Sequence, residues 1–134
     1  MANTLFPLGK QGFLDGSIDW DTGDIRVMLV RSTYTYDAAD QFLSDLGAVD
    51  NGRSAALGSK TVALGVADAA DTTITATAAV ASNALVIFQH TGSDATARLI
   101  HYMDTPSSGL PMTPSISQVL TVAWDNGANR IFVL

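Results

Sequence analysis

At 134 residues the chain fits one domain of ordinary size, which can bury on the order of two thirds of the surface its unfolded form exposes. It contains no Cys, which excludes thiolate metal sites, disulfides and cysteine redox chemistry. The formal net charge is -6, and the few Lys and Arg residues are spread from Lys10 to Arg130 without forming a patch, so a nucleic-acid surface is not expected and proteins are the expected partners.

The acidic residues are uniformly Asp, with no Glu. Asp favours turns and caps where Glu favours helix interiors, so long solvated helices are not expected. No run approaches the roughly 18 apolar residues of a membrane helix, and Met1 to Pro7 lacks the basic start and apolar core of a signal peptide. The expectation is a soluble protein made in the cytoplasm, without a membrane partner.

In chain order, Leu5 to Leu14 reads as a short helix or an extended arm, with Pro7, Gly9 and Gly12 against the helix. Ile18 and Trp20 alternate with polar neighbours. Ile25 to Val30 is a strand with Ile25, Val27 and Leu29 on one face and Arg26, Met28 and Val30 on the other. A loop carries Tyr34 and Tyr36, and Asp40 to Leu46 reads as one or two helical turns capped by Asp40 and ended by Gly47.

Asn51-Gly52 and Gly58-Ser59 read as turns, around short strands at Ser54 to Leu57 and Lys60 to Leu64. Asp68 to Asp71 reads as a connector, followed by a Thr-rich strand, Thr72 to Thr77. Ala84 to His90 is apolar on both faces and should lie centrally, joined through Thr91 to Asp94 to a hairpin partner, Arg98 to Met103. Thr105 to Ser117, with Pro106, Pro111 and Pro114, reads as a loop crossing between sheets.

The last stretch reads as a hairpin. Val119 to Trp124 forms one arm, Asp125 to Asn129 the turn, and Arg130 to Leu134 the other arm, whose apolar residues should be buried. The whole is expected to be a mainly β chain, residues 1–134 forming a single antiparallel β-sandwich or small barrel, with residues 1–16 as a possible N-terminal helix or docking arm.

Candidates for chemistry are few. Asp19, Asp21 and Asp24 precede or flank Gly23 as the acidic residues of a Ca²⁺ loop would, but an EF-hand starting at Asp19 would place Val30 where a carboxylate is needed, and a tight turn is the preferred reading. His90 and His101 could face each other across their hairpin, yet two ligands without Cys or Glu do not make a metal site. Gly58-Ser59-Lys60-Thr61 lacks the upstream Gly spacing of a phosphate loop, and no nucleophile elbow is present. Neither a cofactor nor an enzymatic activity is expected. Tyr34 and Tyr36 could share an exposed face that stacks on sugar rings, while Trp20 and Trp124 read as core anchors.

Gly12 to Trp20, Asp24 to Val27 and Phe42 to Leu46 resemble a family of small proteins encoded among the virion genes of tailed bacteriophages. The later segments Gly65 to Ala69, Thr91-Gly92, Leu99-Ile100 before Tyr102, Gly109 to Pro114 and Trp124 to Gly127 before Ile131-Phe132 follow the same pattern in order and spacing. Where many relatives carry a Gly-rich turn after Pro114, this chain has Ser115-Ile116-Ser117.

The resemblance implies a virion structural protein with no catalytic residues to transfer. A capsid decoration or cement protein is the first expectation, a neck or tail component the alternative, and a carbohydrate-binding module on the virion the second alternative. The expected partners are the major capsid protein or other virion proteins, with homo-oligomerisation, and the expected location is the virion, assembled in the host cytoplasm. Leu5, Phe6, Leu8, Phe13 and Leu14 offer more apolar surface than a short helix could bury on its own domain, and are the expected partner-binding residues.

Overall fold

A computed structural model describes residues 3–128 and 130–134. The fold is mainly β, with one short helix near the N-terminus and antiparallel sheets arranged as in a β-sandwich. The strands are β1 (Thr4–Leu5), β2 (Ile25–Arg31), β3 (Asp50–Arg53), β4 (Thr61–Ala63), β5 (Val66–Asp68), β6 (Thr72–Thr75), β7 (Ser82–Gln89), β8 (Arg98–Met103), β9 (Val119–Val122) and β10 (Phe132–Val133). Helix α1 spans Pro7–Asp15, and a 3-10 turn spans Leu43–Leu46.

Five strands form the large sheet in the order β1-β8-β7-β2-β3, with β10-β5-β4 and β6-β9 as smaller sheets. β2 and β7 lie at its centre, in register from Ile25 opposite Gln89 to Val30 opposite Ala84. Their alternation feeds two cores. Ile25, Val27, Leu29 and Ile87 pack toward the small sheets with Ile74, Val122, Trp124 and Phe132. Met28, Val30, Val86 and Phe88 pack on the opposite side under Tyr34, Leu43, Leu46 and Val49. A strand buried on both faces needs apolar residues at every position, which is why β7 reads as an unbroken run.

Helix α1 begins with Pro7, whose missing N–H is unneeded in a first turn, and ends at Gly16 with φ 81°. Its glycines serve packing. A Cβ on Gly9 would lie 2.6 Å from the Leu99 carbonyl oxygen, so only glycine lets the helix rest this close on β8.

Several expectations need correction. The terminal stretch is not a hairpin: β9 pairs with β6, and β10 pairs with β5. Of its final residues Ile131 and Phe132 are buried, while Val133 and Leu134 are exposed, and Asn129 of the expected turn lies outside the described residues. Asn51-Gly52 is not a turn but the middle of β3. Asn51 is fully buried there, donating to Ser82 Oγ at 2.9 Å and accepting from the Ala78 N–H at 2.9 Å. The 3-10 turn is capped by Asp45, whose carboxylate accepts from the Gln41 and Phe42 N–H groups, whereas Asp40 accepts from the Tyr34 hydroxyl at 2.7 Å.

The Ser54 to Leu57 segment pairs with β2 without forming a regular strand. The Ser54 N–H donates to the Val27 carbonyl, and Ser54 Oγ accepts from the Val27 N–H, so a side chain takes the place of a backbone carbonyl in the ladder.

Candidate protein-contact surface

The expected docking arm is not free. Leu5 and Phe6 are buried, Leu5 in the core that faces the small sheets and Phe6 completely on the opposite side, against the rings of Tyr36 and Tyr102. Leu8 and Phe13 are half-buried, and Phe13 meets Phe132 at 5.8 Å between ring centroids. Leu14 alone of the five is well exposed. The apolar surface of this segment is absorbed because β1 adds to the edge of β8 and carries it into both cores, where a helix by itself would have left it in water.

The acidic loop forms a turn. Asp19 accepts from the Thr22 N–H and hydroxyl, and those bonds hold its carboxyl below the usual range. Asp24 makes a two-pronged pair with Arg26, at 2.9 Å for each bond, leaving Asp21 as the third exposed or half-exposed carboxylate of the loop. No cluster of three or more His or Asp residues with metal-binding geometry occurs among the described residues.

His90 and His101 do not meet. His101 lies opposite Ile87 and touches the Phe132 ring on one face of the large sheet, while His90 follows Phe88 on the other. Tyr34 and Tyr36 do not form an exposed platform either: Tyr34 is buried, and Tyr36 packs 5.2 Å from Tyr102 and 5.3 Å from Phe6. Both Trp side chains are buried as expected, and their indole N–H groups donate to the backbone carbonyls of Asp68 and Ala70.

The cations are largely turned onto the chain itself. Arg53 forks onto Asp94 at 2.8 and 2.9 Å and also reaches Asp50; these carboxylates raise its pKa. Arg98 donates to the Leu8 carbonyl, and Arg130 lies 3.4 Å from Asp68. The surface is left mainly acidic.

Against this background the β4–β5 hairpin stands apart. Ala63 pairs with Val66, so Leu64 and Gly65 form a two-residue turn, and both have positive φ, 53° and 79°. That is the pattern of a type I′ turn, where Asn, Asp or Gly is the usual first residue. Leu64 is instead an aliphatic side chain in a left-handed conformation at 102% relative exposure, so it gains nothing by burial and is disfavoured by its backbone.

Val62, 57% exposed, lies opposite Ala67 on the face of β4 that borders a groove of about 390 Å³. Phe13, Trp20, Phe132 and Leu134 contribute to its walls, and Asp19 and Asp21 to its rim. Among the described residues β4 has a strand partner on one side only. Since Ala63–Val66 and Thr61–Asp68 flank the Val62–Ala67 pair in an antiparallel ladder closed by a two-residue turn, the Val62 N–H and C=O point outward from the sheet.

Sequence reasoning missed this surface by reading Lys60 to Leu64 as one strand and Asp68 to Asp71 as a connector. The available signal was Gly65 between two short apolar runs, but leucine is not a turn residue and obscured it. The chain matches no protein-family model, no curated protein and no solved structure in comparisons with known proteins.

Proposed function

We propose that this chain is a structural protein of a tailed-bacteriophage virion, acting as a capsid decoration or cement protein rather than as an enzyme. The observation that carries this reading is the exposed apolar pair Val62 and Leu64 on the β4–β5 hairpin, with Leu134 on the groove beside it, in a β-sandwich of net charge -6 whose cations largely bind its own backbone and carboxylates. An apolar patch rimmed by polar residues is what a protein-binding surface requires. The motif order from Gly12 to Phe132 supports the virion assignment by resemblance.

Such a protein adds many copies to a preformed shell, where modest individual contacts act together. Partners are then the major capsid protein and adjoining copies of itself. Copy number in purified particles tests the reading. Hundreds of copies distributed over the head support it, a single ring on the tail axis moves the chain to a neck or tail role, and absence from particles rejects a virion role altogether.

A further inference from the structure

We propose that the β4–β5 hairpin is the docking element and that its occupant is an extended segment of a partner protein, apolar in its centre and flanked by Lys or Arg, added as a strand to the outer edge of β4. This rests on the reading of the chain as a protein-binding structural component and specifies the partner's chemistry. Three observations combine.

The first is the Val62 N–H and C=O, aimed away from β5 and available to pair with a strand. An extended backbone can replace the water on such an edge with main-chain hydrogen bonds. The second is Leu64, held fully exposed in a backbone conformation that leucine disfavours, so that it projects beyond the edge as a knob for an apolar partner. The third is charge. The groove on the Val62 face has aromatic walls and an acidic rim at Asp19 and Asp21, both exposed. A side chain of the added strand next to Val62 faces that groove, and a cation beside it reaches the rim.

Charge also argues against a second copy as occupant of this edge. The chain carries a net charge of -6, and a copy would bring its own acidic rim against this one. The β4 edge is therefore assigned to a different protein with basic character at the contact.

The test uses the full-length, isotopically labelled protein and synthetic peptides with alternating Val and Thr at the centre. One is flanked by Lys, a second by Glu, and a third is Lys-flanked with Pro at the central position. The Lys-flanked peptide is expected to shift the amide signals of Thr61, Val62, Ala63 and Leu64, the Glu-flanked one to bind at least about tenfold more weakly, and the Pro peptide to lose binding.

Leu64→Asn separates docking from folding, because Asn suits a left-handed turn position. Its melting temperature should be unchanged or raised while peptide binding falls at least about tenfold. Asp21→Asn should narrow the difference between Lys and Glu flanks. The proposal is overturned by equal binding of the Lys- and Glu-flanked peptides, by shifts confined to other strands, or by self-association mapping to β4. Full incorporation of Leu64→Asn into particles would overturn the docking assignment alone. Absence of the wild-type chain from particles would remove the virion reading, independently of the peptide result.

Discussion

His101 is the residue most exposed to a change of conditions. Its ring lies buried against Phe132, with Leu5 and Ile87 opposite it on the neighbouring strands, and Nδ1 has no hydrogen-bond partner among the described residues. Burial pushes its pKa down from 6.5 to about 4, against a smaller opposing effect from a backbone hydrogen bond with Thr4. Between these values the unfolded chain binds more protons than the folded one. Stability is therefore complete above pH 6.5 and is lost as the pH falls through 4, by on the order of 3 kcal/mol. His101→Leu should flatten the urea midpoint over that window. The steeper loss below it, where Asp24 and Asp94 lose their Arg partners, should remain. Parallel profiles for the two proteins would rule out His101 as the source. Asn51 gives a second test at this scale: Asn51→Ala leaves the part-buried Ala78 N–H without its acceptor and the buried Ser82 hydroxyl without its Asn51 donor, and should cost about 2 kcal/mol by denaturant unfolding.

At the scale of elements, β10 does more than its two residues suggest. Phe132 meets Trp20 edge-on at 5.2 Å, Phe13 at 5.8 Å and His101 at 5.6 Å, so one side chain joins the acidic loop that carries Trp20, α1 and the large sheet. Phe132→Ala should lower unfolding free energy by about 3 to 5 kcal/mol, and a loss below 1 kcal/mol would show that β10 is an ornament on an independent core. The strands β2, β7 and β8 were legible because each is a continuous run bounded by turn residues, and β7 with β8 is a local hairpin. The pairing of β10 was not legible, because adjacency in sequence suggested β9 while the open strand edge belonged to β5. Asn51-Gly52 misled for a related reason: residues that favour turns also occupy strands where a buried side chain is needed as a bridge, and where a Cβ would strike the Thr75 carbonyl at 2.4 Å. Of the candidate contact residues only Leu14 kept its exposure, since amphipathic spacing shows that a segment has an apolar side but not which surface covers it.

At the scale of the whole molecule, the large sheet separates two cores and belongs to both, so neither can be dismantled without exposing β2 and β7. Trp20 and Trp124 sit in the core shared with the small sheets, while their indole groups fasten to the Asp68 and Ala70 carbonyls beside β5 and β6. Their fluorescence therefore reports the junction between sheets, whereas far-ultraviolet circular dichroism reports strand content throughout. The two signals should trace one urea transition with a common midpoint, because opening the junction would place Phe132, Ile74 and Val122 in water at roughly 1.5 to 3 kcal/mol for each large side chain. A tryptophan transition at clearly lower urea would mean that the small sheets open first. The β4 edge would then be a mobile flap, and strand addition there would have to supply the cost of ordering it, about 1 to 2 kcal/mol for each backbone residue fixed. A common midpoint instead leaves that edge preorganised, with only the partner's segment to be ordered on binding.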